Sequence, residues 1–244
     1  MRLGIRSKRA VSNGKNTAAE SFLRQQRFVN DVSHELRTPL TIIRGYVDIL
    51  EHYGADDPEL FQEAVTEIKK SAQNMQNLVE SLLFLARADQ GHQPLTPVPV
   101  DLDDLLKRFV EDYRSPRVQI TKLEPCKIMA DAEFLKKMFA AFLENALRYS
   151  PPDTVVKVEL TASASEATLK FIDKGIGIAK EDREKIFERF YRTDKSRTKL
   201  DTDESSVGLG LSVAKWIADR HGITIDVKSR LGAGSTFVLT FPTI

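Results

Sequence analysis

The strongest constraint on the fold is the spacing of apolar residues between Phe61 and Ala86. Phe61, Val65, Ile68, Ala72, Met75, Val79, Leu82 and Ala86 alternate steps of four and three, and Ala64, Leu78 and Leu85 broaden the seam. A stripe that follows a seven-residue repeat this closely is the signature of a long helix packed lengthwise on other helices. A second helix precedes it. From about Glu20 to Tyr53 the pattern is again helical, and Gly54 to Pro58 supplies a turn, with Pro58 suited to a first helical turn. Two helices joined by so short a loop form an antiparallel hairpin, residues 21–91. One neighbour hides only one side of each stripe, so the economical solution is a second copy of the chain in a four-helix bundle. The competing arrangement is a hairpin packed on the C-terminal half of its own chain.

Within the first helix, FVNDVSHELRTPLTIIRGYVDIL runs from Phe28 to Leu50, with apolar residues at 28, 32, 36, 40, 43, 47 and 50. At about 100° per residue, His34 points roughly 200° away from Val32, so its imidazole faces solvent. Thr38 lies one turn on, close to the same face. Pro39 cannot donate to the carbonyl of Glu35 and its ring crowds it, so a kink or loosened turn is expected just after the histidine.

Composition narrows the classes. A net charge of +1 with 29% charged residues argues against a nucleic-acid binder. The single cysteine, Cys126, excludes an intrachain disulfide, and no zinc spacing exists. No run of 18 apolar residues is present, and Met1 to Ala10 is too polar for a signal peptide. Residues 1–20 form a basic arm with Arg2, Arg6, Lys8, Arg9 and Lys15. Such an arm is a solvated tail, a cloning remnant or the stub inside a membrane helix.

The Pro-rich stretch GHQPLTPVP (91–99) marks a linker, residues 92–100, expected to be a hinge or spacer ahead of a domain at 101–244. There the pattern mixes helices (Leu102 to Tyr113, Ala132 to Tyr149, Leu209 to His221, a short one near Glu181 to Phe190) with strands (118–123, 127–130, 156–160, 168–172, 224–228, 236–241). Adjacent strand pairs and segregated helices predict an α+β two-layer sandwich.

Four short stretches of this half have ligand chemistry. Asn145, in FLENALRYSP with Arg148 and Tyr149 one turn on, offers a carboxamide oxygen to Mg²⁺ or a hydrogen bond to phosphate, although Asn near a helix end also caps helices. In DKGIGI, Asp173 ends a strand, and Gly175 and Gly177 permit close backbone approach. In SSVGLGL, Gly208, Leu209 and Gly210 stand at a helix entrance, where free amides favour an anion. GAGSTF, taken alone, reads as a hairpin turn. Lys195 to Ser206 is polar and poor in anchors, as a lid would be.

The order of these pieces is more specific than any one of them. HELRTPL, FLENALRYSP, DKGIGI, IFERFYR, VGLGL and GAGSTF closely resemble the H, N, G1, F, G2 and G3 boxes of bacterial sensor histidine kinases, over about Gln25 to Phe241. The resemblance implies a homodimeric phosphotransfer hairpin followed by an ATP-binding domain of the GHKL fold. It implies His34 as the phosphorylated residue, assisted by Glu35 and Thr38, and Asn145 as the Mg²⁺ ligand. Asp173 becomes the reader of the adenine amino group, with Gly175, Gly177, Gly208, Leu209, Gly210, Arg148 and Tyr149 around ATP. The implied partner is the receiver domain of a response regulator, and the implied place is the cytoplasmic side of a membrane, with an anchor upstream.

The sequence departs from the family pattern at Ala141, where an earlier Asn often stands, at Lys174, and at Ser205 and Ser206, which replace glycines. Three rivals follow: a nucleotide-poor dimeric scaffold or phosphatase, a GHKL ATPase of the gyrase or chaperone type, and a bare coiled-coil module. The second has no use for HELRTPL, and the third leaves Asn145, Asp173 and the paired glycines unexplained.

Overall fold

A computed structural model describes residues 4–53, 57–193 and 207–244, with side chains described at residue 26 and from residue 28 onward within those ranges. Ser205, Ser206 and the stretch expected to act as a lid fall outside the described residues. The chain divides into two compact units, Met1–Asn77 and Leu78–Ile244, and the division falls inside a helix.

The first unit is made by α1 (Gly4–Tyr53) and most of α2 (Pro58–Asp89). Helix α1 begins well before the expected Glu20 and continues through Pro39. Asp57 opens α2 by accepting the backbone N–H groups of Glu59 and Leu60 at 3.0 Å each, which satisfies two amides that the first turn cannot bond internally. The burial of α2 is offset from the expected heptad. Ala64, Ser71, Leu78 and Leu85 are buried, whereas Phe61, Ala72, Val79 and Ala86 of the strict series are exposed. Val29, Leu40 and Val47 of α1 are exposed as well. On α2 one edge of the apolar stripe is therefore buried and the other exposed, while the described α1 stripe is at most half-buried.

The second unit is a two-layer α+β sandwich. After the last turns of α2 come β1 (Val98–Asp101), α3 (Leu102–Tyr113), β2 (Val118–Leu123), β3 (Lys127–Ala130) and α4 (Ala132–Tyr149). Then follow β4 (Val156–Ala162), β5 (Glu166–Ile172), two 3-10 turns at Lys180–Asp182 and Lys185–Phe187, α5 (Gly210–His221), β6 (Thr224–Ser229) and β7 (Ser235–Pro242). The 3-10 turns stand where one short helix near Glu181 to Phe190 was expected. The large sheet has the order β2-β4-β5-β7-β6, parallel between β2 and β4 and antiparallel elsewhere. β1 pairs antiparallel with β3, so the expected spacer ends as a strand. Pro99 is tolerated there because a two-stranded ribbon leaves one edge of each strand unpaired.

Helix α4 supplies the largest share of the core. Leu135, Met138, Phe139, Phe142, Leu143 and Ala146, the residues expected to face inward, are all fully buried. Phe142 stacks on Phe171 of β5 at 5.7 Å and meets Phe237 of β7 at 5.2 Å. Each such side chain contributes about 1.5–3 kcal/mol by leaving water. Asp131 caps the helix by accepting from Glu133 and Phe134, Arg148 sits in the last turn where a cation suits the dipole, and Pro151 with Pro152 stops it. This fixes where Asn145 and Tyr149 lie relative to the ends of β5 and β7.

Candidate functional site

The end of α4, the end of β5 and the start of β7 converge on Asp173. This residue follows β5 directly and is only 6% exposed. Its backbone N–H donates to Ser235 C=O at 2.9 Å. Its Oδ1 accepts the N–H of Gly175 at 2.7 Å and of Ser235 at 3.1 Å. Burial pushes the carboxyl above its ordinary range, and the amides of Gly175 and Ser235 together with the Ser235 side chain oppose that shift. A buried carboxylate oriented by two amides is a fixed acceptor for a ligand N–H.

The loop after Asp173 is folded onto α4. Ile176 N–H donates to Tyr149 C=O at 3.2 Å, and a Cβ at Gly175 would stand 2.5 Å from that same oxygen. On the other side, Gly234 has φ +85° and a Cβ there would meet Asp173 C=O at 2.1 Å. Ser229 ties the floor together: its Oγ accepts from Ile178 N–H at 2.8 Å and donates to Gly234 C=O at 2.9 Å. The glycines thus let three backbone segments close around one carboxylate.

Asn145 lies one turn before Tyr149 and is half-buried. Close by, Arg148 Nη1 on α4 and Ser150 Oγ just after it are buried with no hydrogen-bond partner among the described residues. An orphaned guanidinium N–H costs free energy unless an acceptor is supplied, and a phosphate oxygen is such an acceptor. One turn earlier, Ala141 Cβ lies 3.7 Å from a Cβ built on Gly210, so the entrance of α5 faces the same side of α4. Gly208 has φ +72°, and its C=O accepts from Phe190 N–H at 3.0 Å. Leu209 is 2% exposed, so its side chain belongs to the core and only its backbone is available to a ligand.

Asn145, Arg148, Tyr149, Asp173, Gly175, Gly177, Gly208 and Gly210 are therefore all brought to one end of the sandwich. His34 and Thr38 lie in the first unit, both exposed, with Glu35 half-buried. Sequence reasoning assigned no role to Ser235, Gly234, Phe190 or Ser229. The order of GAGSTF after DKGIGI was the one available signal for the first two.

The donor set fits an adenine nucleotide: a buried acceptor for an amino group, a cationic donor with no partner among the described residues, and a helix entrance, where backbone amides and the dipole favour an anion. No group of three or more His, Cys, Asp or Glu that could hold a metal ion occurs among the described residues. Asn145 offers a carboxamide oxygen, a ligand type that suits an ion which keeps few protein ligands.

Comparison with known proteins finds two matching domain models. Residues 24–91 match the His Kinase A (phospho-acceptor) domain model. Residues 130–244 match the model of the histidine kinase-, DNA gyrase B- and HSP90-like ATPases. The chain is 36% identical over 228 residues to the sensor histidine kinase YkoH of Bacillus subtilis (strain 168), covering 91% of this chain and 48% of that protein. It is 34% identical over 229 residues to the signal transduction histidine-protein kinase ArlS of Staphylococcus aureus (strain USA300), covering 91% and 50%. The chain spans about half the length of these curated relatives. Among solved structures it resembles full-length ShkA in complex with AMPPNP, with a TM-score of 0.61 and 26% identity over 86% of this chain and 44% of that one.

Proposed function

Because the chain belongs to the sensor histidine kinases, we propose that it transfers the γ-phosphoryl group of ATP to His34 and then to an aspartate of a response regulator. The observation that carries this reading is the buried Asp173 carboxylate, held by two amides, together with an Arg148 donor that has no partner among the described residues, in a chain that also displays an exposed histidine. In this reading Asp173 accepts from the adenine amino group, and Arg148 with the amides at Gly208 and Gly210 meets the phosphates. Mg²⁺ at Asn145 would neutralise charge spreading over the transferred group.

The neutral imidazole of His34 attacks the γ-phosphorus with its unprotonated nitrogen. The new N–P bond forms as the bond to the β,γ-bridging oxygen breaks, and ADP leaves. Glu35 accepts the proton of the other ring nitrogen, which keeps the tautomer that leaves the attacking lone pair free. In the second transfer an aspartate carboxylate of the receiver domain attacks the phosphorus, the N–P bond breaks, and the imidazole regains its proton. Thr38, one turn from His34, would orient a water against the regulator's acyl phosphate, so the same face supports a phosphatase activity.

The active form in this proposal is a homodimer, in which the exposed apolar edges of α1 and α2 close a four-helix bundle. Residues 21–91 act as the dimerisation and phosphotransfer domain, 92–100 as the connector and 101–244 as the ATP-binding domain. Its ATP requirement places it in the cytoplasm. No helix among the described residues is long and apolar enough to cross a membrane, and an upstream anchor next to the basic arm completes the reading.

Incubation of His34→Gln protein with γ-labelled ATP and Mg²⁺ is expected to give no acid-labile label, and labelling equal to the wild type overturns the assignment. Thr38→Ala is expected to keep autophosphorylation and slow dephosphorylation of the regulator. Equal loss of both would remove the separate role of Thr38.

A further inference from the structure

The last turns of α2 are part of the second unit, and they touch both segments that flank Gly208. Phe84, only 7% exposed, meets Trp216 of α5 edge-to-face at 5.1 Å and Phe134 of α4 at 5.8 Å, with Lys137 Nζ 5.6 Å from its ring centre. Helix α5 starts at Gly210, so this contact bears on the C-terminal flank of Gly208. The segment that hydrogen-bonds Gly208, through Phe190, is held by charge. Arg189 donates through Nη1 to Asp89 Oδ2 at 2.9 Å and through Nη2 to Oδ1 at 2.7 Å, a bidentate fork.

The residue after Arg189 is strained. Phe190 has φ +62°, a left-handed conformation that costs a non-glycine residue free energy. Its N–H donates to Gly208 C=O at 3.0 Å, and a Cβ on Gly208 would stand 3.0 Å from Phe190 C. Such a conformation persists only where its surroundings over-determine it. The Asp89 fork is one of those determinants, because it fixes the side chain immediately before the strained torsion.

We propose that the end of α2 is a structural wall of the nucleotide site, in which Asp89 positions Arg189 and Phe190, and through them Gly208, so that a change at Asp89 alters nucleotide affinity. The proposal rests on the kinase reading above and adds positioning residues to it. Asp89 touches no ligand in this scheme and acts only through Gly208. Because Asp89 is 56% and Arg189 33% exposed, solvent screens the pair. The expected effect is therefore moderate, about two- to fivefold in affinity.

The test uses the whole chain. Asp89→Ala and the charge swap Asp89→Arg with Arg189→Asp are compared with the wild type by hydrogen exchange at the Phe190 amide and by titration with AMPPNP and Mg²⁺. The expected result is faster exchange at Phe190 in Asp89→Ala with unchanged exchange at the core residue Phe237, and an affinity lower by about two- to fivefold. The swap should return both readings to within about twofold of the wild type. Unchanged exchange at Phe190, or faster exchange with unchanged AMPPNP affinity, overturns the proposal. Wild-type protein that binds no AMPPNP overturns the kinase reading and this proposal together, whereas binding that ignores both substitutions overturns only the wall.

Discussion

Replacing Asp173 separates its structural from its recognition role, because alanine and asparagine remove different things. In Asp173→Ala the N–H groups of Gly175 and Ser235 lose the acceptor they now have at 2.7 and 3.1 Å. Leaving a buried N–H unmade costs about 1–3 kcal/mol, so the two together cost roughly 2–6 kcal/mol. In a domain of this size each kcal/mol lowers the melting temperature by about 2–4 °C. Asparagine keeps an oxygen that can accept both amides and removes the charge whose burial pushes the wild-type carboxyl upward. The sign follows from linkage. Because the folded carboxyl is raised above the unfolded one, the cost of burying its charge is present above the folded value and disappears as pH falls through it toward the ordinary range. At pH 7 Asp173→Asn should thus be at least as stable as wild type, and the difference should narrow near pH 4. Binding behaves oppositely. The carboxamide can present N–H donors where adenine also donates, and losing a hydrogen bond to a charged acceptor costs about 1.5–3 kcal/mol, roughly 10- to 150-fold in affinity. Thermal melts at pH 7 and pH 4, with AMPPNP titration at pH 7, read both effects. Asparagine protein that binds within twofold of wild type, or alanine protein that melts with it, would refute the assignment.

Gly234→Ala and Gly222→Ala form a matched pair: both positions have positive φ, but a Cβ at 234 meets Asp173 C=O at 2.1 Å and one at 222 meets nothing within 4 Å. Gly222→Ala should cost only the left-handed penalty of about 1–2 kcal/mol, Gly234→Ala clearly more together with weaker AMPPNP binding, and equal melting temperatures would contradict this. Burial pushes the Cys126 thiol up to about 11, with Asp103 and Glu124 adding to it. At pH 8 only about a thousandth of it is thiolate, so iodoacetamide should react slowly and accelerate about tenfold per pH unit to pH 10, while a rate that levels off below pH 9 would disprove it. Val79→Glu places a charge on an exposed apolar edge of α2 and should shift the chain toward monomer in light scattering without lowering its helix content. An unchanged dimer would remove that edge from the interface.

Local patterns in the sequence were enough to set most elements. The run from Leu135 to Ala146 gave the buried face of α4 because a helix against a sheet buries one stripe, and the Pro pair after Ser150 gave its end. Pairing at a distance was less accessible. β2 joins β4 in parallel and β3 joins β1, whereas sequence adjacency favours neighbouring hairpins. Nothing in a period-2 pattern records which strand lies alongside. The α2 seam shows a similar limit. The expected series and the buried one share Ile68, Met75 and Leu82 as neighbours, and spacing alone does not say whether Ala64 and Ser71 or Phe61 and Ala72 are buried. The candidate site residues were picked out by their order along the chain, yet one of the two amides that the Asp173 carboxylate accepts, that of Ser235, lies in what reads as a turn.

The reason for the glycines differs from the one their spacing implies. A GxG after a strand is expected to let a ligand approach the backbone. At Gly177 the nearest atom to an added Cβ is Arg230 C=O at 2.1 Å, and at Gly234 it is Asp173 C=O at the same distance. In both cases the close neighbour is the chain itself. These glycines let the loop after β5 and the β6–β7 turn pack against each other, and that packing is what buries Asp173 and aims its carboxylate. Gly210 is different: a Cβ there meets only Ala141 Cβ at 3.7 Å, ordinary contact. Its missing side chain leaves room beside the entrance of α5, next to Ala141 of α4. The glycines thus divide by what a Cβ would strike: Gly177, Gly234 and Gly208 let the chain fit against itself, whereas Gly210 has only an ordinary contact beside it.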